Sequence, residues 1–205
     1  MLDTKRHWFT WLEKIIAKVF GTLPLTPNQF TYISGFFAII TFFFMLQGNM
    51  ILAIIFFTIA AGLDLVDGAV ARAKNMVTTK GAFLDAIFDR YIEGFVLIGF
   101  IFVGLPNIFL PASFWICLSL FGSLLTSYVP AAAIEKNMWT GKQLRRGIMT
   151  RAERIIFIFI ALALAIIYPS YIYTTYVIIA LAIISNISAI QRIAIIIITK
   201  NENCN

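Results

Sequence analysis

Six apolar stretches, at about 29–47, 50–73, 81–105, 111–135, 152–168 and 172–198, leave this 205-residue chain few folds to choose from. Each approaches or exceeds the roughly 20 residues an α-helix needs to cross a bilayer, where a segment must satisfy its own backbone polar groups. Hydrophobic residues make up 60% of the chain and charged residues 13%, more apolar surface than a soluble domain of this size needs. We therefore expect an all-α polytopic membrane protein with six transmembrane helices. The separators are Gly48-Asn49, the polar stretch 74–80, Leu105-Pro106-Asn107, the loop 136–151 and Pro169-Ser170, and Pro27-Asn28 reads as a helix start. With no low-complexity linker, residues 1–205 read as one membrane domain. Cys117 and Cys204 give no disulfide framework.

The first 20 residues lack the apolar core and cleavage site of a signal peptide. Trp8, Phe9, Leu12, Ile15, Ile16, Val19 and Phe20 instead recur at helical spacing, with Lys5, Glu13, Lys14 and Lys18 between them. That pattern predicts an amphipathic helix over 1–20 lying along the membrane surface. His7, the only histidine, belongs to it rather than to a catalytic site.

The basic residues set the topology. Lys5, Arg6, Lys14 and Lys18 precede the first span; Arg72, Lys74 and Lys80 occupy the second connection, with Arg90 just beyond. Lys136, Lys142, Arg145, Arg146, Arg151 and Arg154 cluster at the fourth, and Arg192 and Lys200 close the chain. With six spans, all 16 fall on one side, which the positive-inside rule makes the cytoplasm. The expectation is a multi-pass cell-membrane protein with both termini cytoplasmic.

Within this apolar chain, Asp64, Asp67, Asp85 and Asp89 stand out. Helical steps of three and four residues keep a side chain on one face, so Asp64 and Asp67 share a face, as do Asp85 and Asp89. Two such helices facing each other would bring four carboxylates to one point. A carboxylate at mid-membrane costs about 2.5–3.5 kcal/mol, and four together repel unless a hard divalent cation neutralises them. Asp64 lies 15 residues, roughly 22 Å of helix rise, from the outer boundary at Asn49, which puts the acids near the cytoplasmic side. Oxygen ligands suit Mg²⁺, Mn²⁺ or Ca²⁺, and no His or Cys stands in the segment to favour zinc. Gly68, Ala71 and Gly81 allow close approach of a substrate or neighbouring backbone, and Arg72 and Lys74 flank the acids with cations for phosphate oxygens. Acids, metal and cations together describe a site for a pyrophosphate-bearing substrate.

The pattern D-x2-D-G-x2-A-R-x8-G-x3-D-x3-D resembles the signature of the CDP-alcohol phosphotransferase family, with all fixed positions present as Asp64, Asp67, Gly68, Ala71, Arg72, Gly81, Asp85 and Asp89. The resemblance extends to six spans, a cytoplasmic surface helix and the total length. It implies two metal ions, Mg²⁺ or Mn²⁺, held by Asp64, Asp67, Asp85 and Asp89. It also implies Asp89 as the general base on the acceptor hydroxyl, with Gly68, Ala71, Arg72 and Gly81 lining the CDP pocket. The implied reaction is attack on the β-phosphate of a CDP-alcohol, such as CDP-diacylglycerol or CDP-archaeol, with release of CMP. The family also implies a homodimer in the membrane lipid.

Thr150-Arg-Ala-Glu-Arg154 and Gln191-Arg-Ile193 resemble the R-x-E-R and Q-R-I segments of inositol-phosphate synthases in that family. On that resemblance Arg151, Arg154 and Arg192 bind the phosphate of a phosphorylated polyol acceptor, with inositol 1-phosphate leading. There is one departure: after Ser127-Tyr128 those enzymes carry basic residues, whereas here stand Val129, Pro130, Ala131 and Ala132. Glycerol 3-phosphate and a soluble CDP-inositol donor are the enzymatic alternatives. A carboxylate-lined cation transporter is the non-enzymatic one, but transporters commonly show internal repeats, and no second copy of the acidic segment is present.

Overall fold

A computed structural model describes residues 19, 20, 22, 24–138 and 147–202. Among them stand six α-helices and no strand: α1 Pro27–Leu46, α2 Met50–Ala73, α3 Thr79–Phe102, α4 Ala112–Glu135, α5 Arg151–Ile167 and α6 Ile172–Glu202. The surface helix expected over 1–20 lies, apart from Val19 and Phe20, outside the described residues, as do Lys142, Arg145 and Arg146. Helices α1, α2, α4 and the Ile172–Ile198 part of α6 are long and apolar enough to cross a membrane. Helix α3 carries Lys80, Asp85, Asp89, Arg90 and Glu93, and α5 has only 17 residues, so both fall outside that measure. Among the described residues the protein is all-helical, and its four long apolar helices make it a membrane protein. Its helices form two compact units, one taking residues up to 44 with 52–95, the other 45–51 and 96 onward.

In the first unit, α1 starts where local chemistry dictates. Thr26 precedes Pro27, and the Gln29 side chain reaches back to accept the Thr26 N–H at 2.7 Å, half of a capping box with proline at the first helical position. Gly35 lets the Phe88 ring of α3 press on the α1 backbone; a Cβ there would lie 2.5 Å from the ring. Phe37 and Phe44 of α1 stack on Phe56 of α2, with centroids 5.8 and 5.2 Å apart. Phe30, Val66 and Val70 form a buried cluster under Phe20, Leu25 and Leu63. Helix α2 ends in a Schellman turn: Asn75 takes a φ of 53°, its N–H reaches the Arg72 carbonyl, and Met76 N–H reaches the Ala71 carbonyl at 2.9 Å. The chain thereby reverses directly after Arg72 and enters α3 through Thr78, whose hydroxyl accepts the Gly81 N–H at 3.0 Å.

In the second unit α6 packs against both α4 and α5. Gly122 sets the α4–α6 approach, since a Cβ would stand 2.4 Å from Ser185 Oγ. Asn186 Nδ2 donates to the Leu118 carbonyl at 2.9 Å and Ser119 Oγ to the Ile178 carbonyl at 3.3 Å. Such polar links between small residues suit helices in lipid, where apolar contact drives little association. Helix α5 opens as α1 does: the carboxylate of Glu153, three residues on, accepts the Thr150 N–H.

Candidate active site

The three-residue step on α2 and the facing turn of α3 put Asp64, Asp67 and Asp85 together, with one carboxylate oxygen from each within 4.8 Å of the others. Asp64 and Asp67 are buried and Asp85 half-buried. Thr31 of α1 donates its hydroxyl to Asp67 Oδ2 at 2.6 Å, which fixes one oxygen of that carboxylate. Asp89 shares the α3 face but stands one turn, about 6 Å, further along. It is buried and accepts from Arg90 Nη1 at 2.9 Å, and it is not one of the three that gather.

The signature's small residues have definite neighbours. A cavity of about 260 Å³ is bounded by Asp67, Gly68, Ala71, Arg72, Gly81 and Asp85, with Asn28, Thr31 and Thr78 among its polar walls. At Gly68 a Cβ would sit 3.4 Å from Arg72 Nη1, so the guanidinium lies over this turn of α2. At Gly81 it would sit 3.1 Å from both Asn28 Oδ1 and Thr78 Oγ1. Lys74, read from the sequence as a phosphate ligand, gives its Nζ to the Leu25 carbonyl at 3.3 Å. A hard oxygen donor set crowded this tightly fits a divalent cation. The same arrangement with Arg72 beside it can receive a pyrophosphate.

The three arginines expected at the acceptor belong to the second unit. Arg151 is the first residue of α5 and Arg154 follows one turn later, almost fully buried, donating Nη1 to Thr126 Oγ1 at 2.9 Å. Arg192, also buried, donates Nη1 to the Thr126 carbonyl and Nη2 to the Met149 carbonyl at 3.1 Å. Arg154 and Arg192 therefore meet at a single residue of α4. Sequence reasoning missed Thr126, as it missed Thr31, Asn28 and Thr78. For Thr31 and Thr126 a hydroxyl in an apolar run was the signal, and helices use these just as often for internal bonds.

Fold and site together define a helical membrane enzyme with a carboxylate centre beside a pyrophosphate-sized cavity. The CDP-alcohol phosphatidyltransferase family profile matches residues 24–197, and the chain belongs to that family. It is 38% identical over 152 residues to the archaetidylinositol phosphate synthase of Pyrococcus horikoshii, spanning 73% of this chain and 75% of that protein. It is 32% identical over 156 residues to the phosphatidylinositol phosphate synthase of Corynebacterium glutamicum, spanning 73% and 68%. The crystal structure of the Mycobacterium tuberculosis phosphatidylinositol phosphate synthase with CDP-DAG bound has the same fold, with a TM-score of 0.75 at 23% identity over 90% of this chain and 92% of that one.

Proposed function

We propose that the chain transfers a substituted phosphate from a CDP-alcohol, CDP-diacylglycerol or CDP-archaeol, to inositol 1-phosphate and releases CMP. The observation that carries this reading is the trio Asp64, Asp67 and Asp85, within 4.8 Å of one another, of which Asp67 and Asp85 stand on the wall of a cavity lined by the signature residues. Gly68, Ala71, Arg72 and Gly81 receive the CDP moiety, with the Arg72 guanidinium on the pyrophosphate. Asp64, Asp67 and Asp85, completed by Asp89, hold two divalent ions, Mg²⁺ or Mn²⁺, which supply charge neutralisation at the leaving phosphate. Asp89 takes the proton of the attacking hydroxyl. Arg151, Arg154 and Arg192 bind the acceptor's phosphate, and the names of the two inositol-phosphate relatives support that acceptor.

In this reading residues 1–205 act as one catalytic domain with six spans, α3 and α5 included, and the chain works as a homodimer. Both termini and the site face the cytoplasm, on the distribution of the basic residues. The deciding experiment gives purified protein CDP-diacylglycerol or CDP-archaeol with inositol 1-phosphate, glycerol 3-phosphate or free inositol, and identifies the product by mass. Fastest CMP release with inositol 1-phosphate is expected. Preference for glycerol 3-phosphate would move the acceptor, and turnover with free inositol alone would overturn the phosphate pocket.

A further inference from the structure

In an α-helix the carbonyl of residue i accepts the N–H of residue i+4. Pro130 lies inside α4, four residues after Thr126. It brings no N–H, and its ring crowds the carbonyl one turn back. The Thr126 carbonyl thus loses its helix partner, and the acceptor it leaves over goes to Arg192 Nη1. The same residue holds the second guanidinium through its side chain. Thr126 Oγ1 spends its proton on the Ser123 carbonyl at 2.7 Å, so the lone pair is turned to Arg154 Nη1 at 2.9 Å. Thr126 is 1% exposed, Arg154 2% and Arg192 9%.

Two cations held at one buried residue repel each other, and fixed acceptors are needed to keep them there. Arg192 is also tied through Nη2 to the Met149 carbonyl, whose residue is pinned to α6 by its N–H on Ser188 Oγ at 3.2 Å. Both guanidinium groups are therefore aimed from Thr126. Val129 to Ala132 carry no cation of their own, so the pocket depends on the orientation of Arg154 and Arg192.

We propose that Thr126 and Pro130 are positioning residues of the acceptor-phosphate pocket, the hydroxyl of Thr126 aligning Arg154 and its carbonyl, released from the helix by Pro130, aligning Arg192. This rests on the reading of Arg154 and Arg192 as acceptor-phosphate ligands. Pro130 is thus more than a tolerated break in a helix.

Two substitutions test it in the full-length protein, with CMP release measured against acceptor and donor concentration and thermal unfolding followed in parallel. Pro130→Ala restores the N–H that competes with Arg192 for the Thr126 carbonyl, and it replaces the poorest helix former with the best. The melting midpoint should hold or rise while the acceptor KM rises roughly three- to tenfold and the donor KM stays put. A purely structural proline would give the gain in stability with no change in KM. Thr126→Val keeps the shape and loses the hydroxyl, and should raise the acceptor KM roughly ten- to hundredfold, with Thr126→Ser recovering most of it. If the valine variant does not fold, Pro130→Ala decides alone. An acceptor KM within about twofold of wild type, or donor and acceptor KM rising together, overturns the proposal. Wild-type protein that uses only uncharged alcohols overturns the phosphate-pocket reading itself, and this proposal with it. A phosphorylated acceptor used equally well by wild type and variants overturns the positioning role alone.

Discussion

Thr31→Val isolates the side-chain hydrogen bond that α1 gives to a carboxylate of the acidic trio. Thr31 Oγ1 lies 2.6 Å from Asp67 Oδ2 and 3.3 Å from the Pro27 carbonyl, so the shorter, charged contact holds the single hydroxyl proton. Both Thr31 and Asp67 are buried, and water cannot replace the donor cheaply. Valine has nearly the same shape, so the α1–α2 packing survives and only the donor is lost. A hydrogen bond to a charged group contributes about 1.5–3 kcal/mol, which is roughly ten- to hundredfold in a binding constant. Losing a partner that orients a metal ligand typically weakens the metal by that same roughly 10–100-fold. Fixed orientation matters here because three carboxylates must converge within 4.8 Å.

The assay is Mn²⁺ titration of the purified protein, reading free Mn²⁺ by electron paramagnetic resonance, beside CMP release as a function of Mg²⁺. The Mn²⁺ Kd should rise roughly ten- to hundredfold, CMP release should recover at high Mg²⁺, and Thr31→Ser should behave as wild type. An unchanged Kd in the valine variant would refute the role assigned to this hydroxyl.

Three further substitutions probe other parts of the account. Asp89→Asn removes the proposed base and should slow CMP release by roughly 10²–10⁴-fold while calorimetry still detects donor binding; normal turnover would reassign the base. Gly81→Ala puts a Cβ 3.1 Å from Asn28 Oδ1 and Thr78 Oγ1 at the cavity wall. It should raise the donor KM roughly five- to fiftyfold, on a modest overpacking cost, and leave the acceptor KM alone. Gly122→Ala drives a methyl to within 2.4 Å of Ser185 Oγ between α4 and α6, and should cost about 1–3 kcal/mol, seen as a lower melting midpoint in detergent. An unshifted midpoint would show that the two helices can part without penalty.

The helix ends show what a linear reading can and cannot reach. Residues 50–73 were bounded by Gly48-Asn49 on one side and a polar stretch on the other, and α2 spans Met50–Ala73. The third apolar run suggests 81–105, yet α3 spans Thr79–Phe102, because the Thr78 hydroxyl caps its start and Gly104, at a φ of 78°, turns the chain at its end. Helices α1 and α5 both begin with a threonine followed three residues later by Gln29 or Glu153, a capping pattern that is present in the sequence just ahead of each apolar run.

At the site, helical spacing put Asp64 and Asp67 on one face, and the structure gathers them with Asp85. Asp89 shares the α3 face with Asp85 and stands one turn further along. Thr31 and Thr126 were out of reach for another reason. Their partners lie 36 and 66 residues away, at Asp67 and Arg192, and only the packing of separate helices brings them into contact. Pro130 was visible as a missing cation, but its effect runs through a carbonyl whose partner no local pattern names.

The most direct test of the central claim is CMP release by purified protein given CDP-diacylglycerol and inositol 1-phosphate, first in excess chelator and then with Mg²⁺ or Mn²⁺ restored. If Asp64, Asp67 and Asp85 hold the divalent cation at which the CDP-alcohol is cleaved, release is absent in chelator and returns on adding metal, and Asp67→Asn shifts the required metal concentration upward. Undiminished CMP release in chelator would contradict the account at its centre.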